Sequence, residues 1–202
     1  GVMIARHLLR WPFRTLSSTL GVAMSVAILV ASLWSFGSIN RMIDITFFRS
    51  ERHDAQVVFG APQPMASLFA VRRLPGVLAA EPFRAVSVRI SHRSLSKKLS
   101  LMGRPEEPGL SRVLDPTLRP MPMPEAGVIL SEAMADALKV RSGDLVNVEV
   151  LEGARPVVTL PVSGISLGYV GLGAAMEIGA LNRLMSEGRM LSGVSLSLDE
   201  SQ

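Results

Sequence analysis

The sequence predicts an α+β protein carried behind one N-terminal transmembrane helix, and three observations lead there. Thr15 to Asn40 form a run of 26 residues without Asp, Glu, Lys, Arg or His. Later segments alternate apolar and polar residues with the period of a strand, most clearly Val146, Val148 and Val150 against Asn147 and Glu149. Between such segments lie short stretches with helical spacing and a cap, as in SEAMADAL. The 202 residues, 48% apolar and 19% charged, exclude a wholly disordered chain. The absence of cysteine removes disulfides, thiolate zinc sites and cysteine nucleophiles.

The mean hydropathy of +0.35 has its source near the N-terminus. At about 1.5 Å per residue, the segment from Leu16 to Phe36 is long enough to cross a hydrocarbon core of about 30 Å. A cleaved signal peptide would need an apolar run of only about 7 to 15 residues. Arg6, His7, Arg10 and Arg14 precede the helix, whereas Arg41 and Asp44 after it cancel, so the positive-inside rule puts the N-terminus in the cytoplasm and everything after Asn40 outside. The three arginines recur every fourth residue, and Leu9, Trp11, Phe13 and Leu16 can lie in the lipid interface, which makes Arg6, Arg10, Trp11 and Arg14 the topology and interface residues. Setting those arginines aside leaves 18 basic against 17 acidic residues, so the pI of 10.3 implies no nucleic-acid partner.

The membrane helix carries a pattern of its own. Ala23, Ala27, Ala31 and Ser35 recur every fourth residue, as do Ser17, Gly21 and Ser25 on an adjacent stripe, so another helix backbone could approach closely along this side. Alanine and serine are also common in membrane helices without any such role.

Beyond the helix, Asp54 to Phe59 reads as a strand, and Met65 to Leu74 as a helix stopped by Pro75-Gly76. Ala85 to Ile90 and Leu99 to Met102 are further strands. Six prolines between Arg104 and Pro124 deny that stretch a regular ladder and mark a loop or a crossing between lobes. Ser131 is placed to cap a helix with Ala133, Met134, Ala137 and Leu138 on its apolar face, and Gly143-Asp144 turn the chain into the strand of inward valines. Glu152-Gly153-Ala154 suggest a hairpin to Val157 through Val162. The second uncharged stretch, Pro156 to Met176, contains Pro161 and four glycines, so it reads as strand, Gly-rich loop and helix and not as a membrane span. A last helix, about Glu177 to Ser186, precedes a strand from Gly193 to Leu198.

An enzyme reading finds no residues to carry it. His53 and His92 lack the i+3 or i+4 partner of a zinc helix, no serine sits in a nucleophile elbow, and Gly171-Leu172-Gly173 lacks the third glycine of a dinucleotide fingerprint. Neither a metal nor a cofactor is expected. The adjacent carboxylates Glu106-Glu107 and Asp199-Glu200 read as solvated charge.

The segment RHLLRWPFRTLSSTLGVAMSVAIL resembles the first transmembrane segment of the FtsX-like, MacB-type ABC transporter permeases, with its Arg-rich, Pro-containing lead-in, Arg-Thr-Leu step and Leu-Gly opening. LPGVLAAEPFRAVSVRI, the GVILSEAMADAL…SGDLVNVEV block, and VSGI followed by LNRLM and SGVSLSL agree with it in order and spacing. The resemblance implies a bacterial inner-membrane permease that works as a dimer with a cytoplasmic ABC ATPase and leaves room for a periplasmic partner protein. It would couple ATP hydrolysis by the cytoplasmic ATPase to periplasmic-domain motion for export or release of a lipid, lipoprotein, peptide or drug, or for activation of a cell-wall hydrolase. It also implies a two-lobed extracytoplasmic domain, a mixed α/β lobe with an inserted mostly β lobe. The expected organisation is a cytoplasmic interfacial segment at 1–14, the transmembrane helix at 15–37, a stalk at 38–53 and the periplasmic core domain at 54–202, with the insertion at about 92–160. The family places a second membrane helix after such a domain, so the chain resembles a fragment of a permease, such as one half of an internally duplicated one. A single-span membrane sensor with an extracytoplasmic ligand-binding domain is the alternative that fits the same topology.

Overall fold

The computed structural model describes residues 12–43, 50–167 and 173–199. The chain divides into two units, residues 1–45 and residues 46–202. In the first, helix α1 runs from Pro12 to Ile43, and its stretch Leu16–Ser38 has a mean hydropathy of 2.0 and none of it buried. Twenty-three residues reach about 35 Å, enough to cross a bilayer. Bulky side chains such as Leu20, Val22, Ile28, Leu33 and Phe36 are exposed, on every side of the helix. A helix apolar all round suits lipid and not one face of a soluble core. Two of its hydroxyls are spent internally: Ser25 Oγ donates to Gly21 O at 2.9 Å and Ser32 Oγ to Ile28 O at 2.8 Å. Neither therefore needs a partner in hydrocarbon.

The second unit is β-rich, with the order β1 (Ala55–Pro64), α2 (Ser67–Arg72), β2 (Val77–His92), β3 (Leu95–Arg104), β4 (Val128–Ser131), α3 (Glu132–Leu138), β5 (Leu145–Val150), β6 (Val157–Ser166), β7 (Ala174–Glu177), α4 (Ile178–Leu184) and β8 (Met190–Leu198). Six strands close into a barrel in the order β2-β3-β7-β4-β6-β5, because β5 returns to pair with β2. The pairs β3–β7 and β4–β6 are parallel and the other four antiparallel. Closure gives every barrel strand a neighbour on both sides over part of its length, although residues 95–100 of β3 pair with β2 alone. Its core contains Val86, Val88, Ile90, Leu101, Leu130 and Val148, all fully buried, with Met134 and Leu138 of α3 and Leu181 of α4 packed into the same cluster. At about 1.5–3 kcal/mol per fully buried aliphatic side chain, this cluster dominates the stability of the unit.

A second, smaller sheet is made by β1, β8 and the first half of β2. Leu68 and Val71 of α2 pack there with Ala80, Leu191, Val194 and Leu196. Strand β2 belongs to both sheets: Val77 to Phe83 pair with β8, and from Arg84 onward the strand pairs with β3. The barrel, with its two helices α3 and α4, is thus inserted between the first half of β2 and β8 of the smaller sheet. It takes in residues on both sides of the 92–160 span named above, because β2 passes from sheet to sheet without a break.

Local elements follow their expected chemistry with three differences. Helix α2 has only six residues and not ten, since it holds itself to the sheet through Leu68 and Val71 alone. Val128–Ser131 and Ala174–Glu177 are strands that periodicity does not reveal, because four residues buried on both faces show no alternation. The stretch after the Gly-rich segment is therefore a strand and not the start of a helix, and residues 168–172 of that segment lie outside the described residues. The Pro-rich stretch has only isolated bridges, Glu51 to Ser111 and Leu114 to Pro120. Its turn is held by Asp115, whose carboxylate accepts from Arg119 N, Thr117 N and Thr117 Oγ. The bond from Arg119 N, then that from Thr117 Oγ, holds this carboxyl below its ordinary pKa of 3.8. The stabilisation this gives is complete above the unfolded value and is lost as pH falls through the folded one.

Ser131 caps α3, accepting from Met134 N at 3.3 Å, and also accepts from Gly173 N at 2.9 Å. A helix of seven residues does not persist by propensity, so the cap and the burial of Met134, Ala135 and Leu138 hold it. Ser131→Ala is expected to cost about 1–2 kcal/mol, read as a lower midpoint in chemical denaturation; an unchanged midpoint would show that the cap contributes nothing.

Candidate functional site

The two units offer different surfaces. On α1, steps of four residues advance about 40° around the axis, so each small-residue row winds slowly along one side. Ala23, Ala27 and Ala31 line one shallow groove on the helix, walled by Val26, Val30 and Trp34. Gly21, Ser25 and Ser35 of the predicted packing set do not line it. Nothing lies within 4 Å of where a Cβ on Gly21 would sit, so that position too is open to a neighbour. The predicted interface residues Arg6, Arg10 and Trp11 lie outside the described residues, as does the side chain of Arg14.

In the second unit, folding brings together residues that no motif links. His53 Nδ1 and Ser111 Oγ approach to 3.5 Å across the Glu51–Ser111 bridge. A nucleophile needs access and a base needs an orienting partner. Ser111 is 7% exposed, and no bond to the other imidazole nitrogen of His53 is present among the described residues. His92 Nδ1 lies 3.2 Å from Leu138 O, a contact that ties the end of β2 to α3. No group of three or more His, Asp or Glu residues that could hold a metal occurs among the described residues.

The polar structure that sequence reasoning missed lies where β2 changes sheets. Arg84, 3% exposed, donates from Nη2 to Glu187 Oε2 at 2.9 Å and from Nη1 to Ser192 Oγ at 3.2 Å. Ser192 Oγ also accepts from Ala85 N and donates to Ala85 O, which stitches β8 to β2 one step beyond the last ladder pair, Phe83 to Gly193. One network thus joins the barrel strand, the segment after α4 and the small sheet. The signal was present in the sequence: Arg84 occupies an inward position of the period Arg84, Val86, Val88, Ile90.

Beside this junction lies a cleft of about 470 Å³ whose lining includes Met65 and Arg189 from the small-sheet side and Glu106, Glu177 and Asn182 from the barrel side. Glu177 is occupied as the cap of α4, accepting from Gly179 N and Ala180 N. Glu106 shares this mixed-charge cleft with Glu125, Glu187 and Arg183, while Glu200 lies outside the described residues.

No protein-family model and no curated protein sequence matches the chain. Among solved structures, the chain is similar to the extracellular domain of the noncanonic ABC-type transporter YknZ from Gram-positive bacteria, with 15% identity and a TM-score of 0.51 over 73% of this chain and 85% of that one. It is also similar to the periplasmic region of MacB from Actinobacillus actinomycetemcomitans, with 12% identity and a TM-score of 0.49 over 71% of this chain and 68% of that one. At such identities the likeness is one of fold: the second unit has the fold of the extracellular domain of an ABC-type transporter.

Proposed function

We propose that this chain is part of an ABC-type transporter permease, anchored in the bacterial inner membrane by α1, with its N-terminus in the cytoplasm and the barrel domain outside. The observation that carries the reading is the likeness of the second unit to the YknZ extracellular domain, in a chain that also has a helix long and apolar enough to cross a membrane. The permease works as a dimer with a cytoplasmic ABC ATPase and couples hydrolysis there to motion of the external domain. That motion exports or releases a lipid, lipoprotein, peptide or drug. The domain itself contributes no catalytic group; its part is mechanical. The test is copurification of the complete permease with its proposed ABC ATPase subunit: a stable complex whose hydrolysis rate changes when residues 54–202 are deleted is expected. A complex that does not form, or hydrolysis indifferent to the deletion, would overturn the reading.

Orientation follows from the charge asymmetry about α1. The chain has no native cysteine, so a single thiol at Ala154, exposed on the hairpin between β5 and β6, reports it cleanly. Labelling by an impermeant reagent in intact cells is expected; protection until the membrane is opened would invert the topology.

The groove of Ala23, Ala27 and Ala31 is the surface along which α1 packs on a neighbouring membrane helix. Ala27→Leu or Ala31→Leu in the complete permease is expected to reduce transport at least about tenfold with insertion and ATPase activity retained, because added methylenes separate close backbones. Leu29→Ile and Leu33→Ile, outside the groove, should have little effect. Equal tolerance at all four positions would mean that the groove faces lipid.

A further inference from the structure

A second cleft of the barrel domain, about 330 Å³, has an unusual charge balance. Among the described residues its only charged lining residues are Arg104 and Arg112; most of the others are serines and apolar side chains, Leu114, Ile129 and Leu167 among them. Elsewhere in the domain, buried or half-buried arginines have carboxylate partners, Arg84 with Glu187 and Arg89 with Glu149. Arg104 and Arg112 have none within ion-pair distance among the described residues. Arg104 Nη1 donates to Ser111 O, and its Nε is buried without a partner. Glu51 and Glu81 act on it only from a distance, and Glu81 Oε2 is already engaged by Gly109 N and Leu110 N. Desolvation by burial is the leading influence on Arg104 and lowers its pKa, outweighing those two carboxylates. A guanidinium stays charged regardless. Arg112 is fixed through its backbone, N to Ser50 O and O from Ser50 Oγ, while its guanidinium makes no bond among the described residues.

Taking a guanidinium out of water without a carboxylate in ion-pair contact is costly, and an anion in the cleft offsets that cost. Two arginines lining one cleft suit a group with several equivalent oxygens, such as phosphate, which arginine binds through charge-assisted bonds.

We propose that this cleft is an oxyanion site for a phosphate-bearing ligand, with Arg104 and Arg112 holding the phosphoryl oxygens and the aliphatic wall receiving the adjoining apolar part. The ligand is either a soluble phosphate compound or the headgroup of an anionic phospholipid. The site is independent of the transporter reading, because binding is measured on the chain alone.

The experiment titrates inorganic phosphate into the full chain in neutral detergent, with chloride at matched ionic strength as control, and follows heat of binding and thermal midpoint. Saturable binding that chloride does not reproduce is expected. Arg112→Gln is expected to weaken it about tenfold or more, the loss of a charge-assisted bond, and Arg104→Gln at least as much. Arg155→Gln, on an exposed turn of the barrel, should change nothing. Arg112→Gln removes no side-chain bond among the described residues, so it remains decisive if Arg104→Gln fails to fold. Equal effects of phosphate and chloride, or phosphate binding untouched by Arg112→Gln, would overturn the proposal. Repeating the titration in nanodiscs distinguishes the two sources of phosphate. Weaker apparent phosphate binding in phosphatidylglycerol than in phosphatidylcholine discs assigns the site to a headgroup, and equal binding assigns it to a soluble ligand.

Discussion

Gly193→Val is expected to disrupt the small sheet, with a cost of about 3 kcal/mol or more. Gly193 lies in the middle of three strands, paired with Val58 of β1 on one side and Phe83 of β2 on the other. A Cβ there would overlap both the Val57 carbonyl oxygen and the edge of the Phe83 ring. Neither neighbour can yield cheaply. The carbonyl belongs to the strand that β8 pairs with, and Phe83, 7% exposed, is packed in place. Gly193→Ala separates the two obstacles. In a Phe83→Leu background the ring contact is gone while the carbonyl contact stays, so alanine should be only partly rescued. Denaturation followed by circular dichroism reads both. A midpoint within about 0.5 kcal/mol of the parent for Gly193→Val would mean that β1 and β8 separate freely and that the close approach is not structural.

The second large effect concerns the junction and has an unexpected direction. Glu187→Gln should cost more than Arg84→Met, about 2–3 against about 1–2 kcal/mol. Removing the carboxylate's charge strands a guanidinium that is 3% exposed, whereas removing the guanidinium leaves a carboxylate at 34% exposure, which water can reach. Partial exposure of Glu187 is also why both figures fall below the full penalty for breaking a buried pair. Arg84→Met with Glu187→Gln together should be more stable than Glu187→Gln alone, since no buried charge then remains. Strict additivity in this double-mutant cycle would rule out the pairing as a source of stability. The same variants bear on function: if the external domain transmits motion, loosening the point where β2 passes between sheets should reduce transport more than ATPase activity.

Much of the local structure was legible in the residues. The inward valines 146, 148 and 150 are all buried, Ser131 caps its helix, and Gly143 takes a positive φ of 96° at the turn before β5. Such features depend on neighbours a few residues away, so period and cap chemistry suffice to read them. The short strands β4 and β7 were not legible, because a four-residue segment enclosed on both faces has no polar phase to alternate with.

What the sequence determined by itself is therefore local or compositional: one helix apolar enough for a membrane, an α+β unit after it, the caps and turns, and a small-residue row along the helix. Only the tertiary structure decided that six strands close into a barrel, that this barrel interrupts a smaller sheet, and which arginines acquire partners. Those outcomes depend on contacts between residues far apart in the chain, such as Val88 with Val150, Arg84 with Glu187, and Arg104 with Ser111. An arginine looks the same in a sequence whether or not folding brings a carboxylate to it. The energetic difference arises only when burial removes the water that would otherwise have screened it.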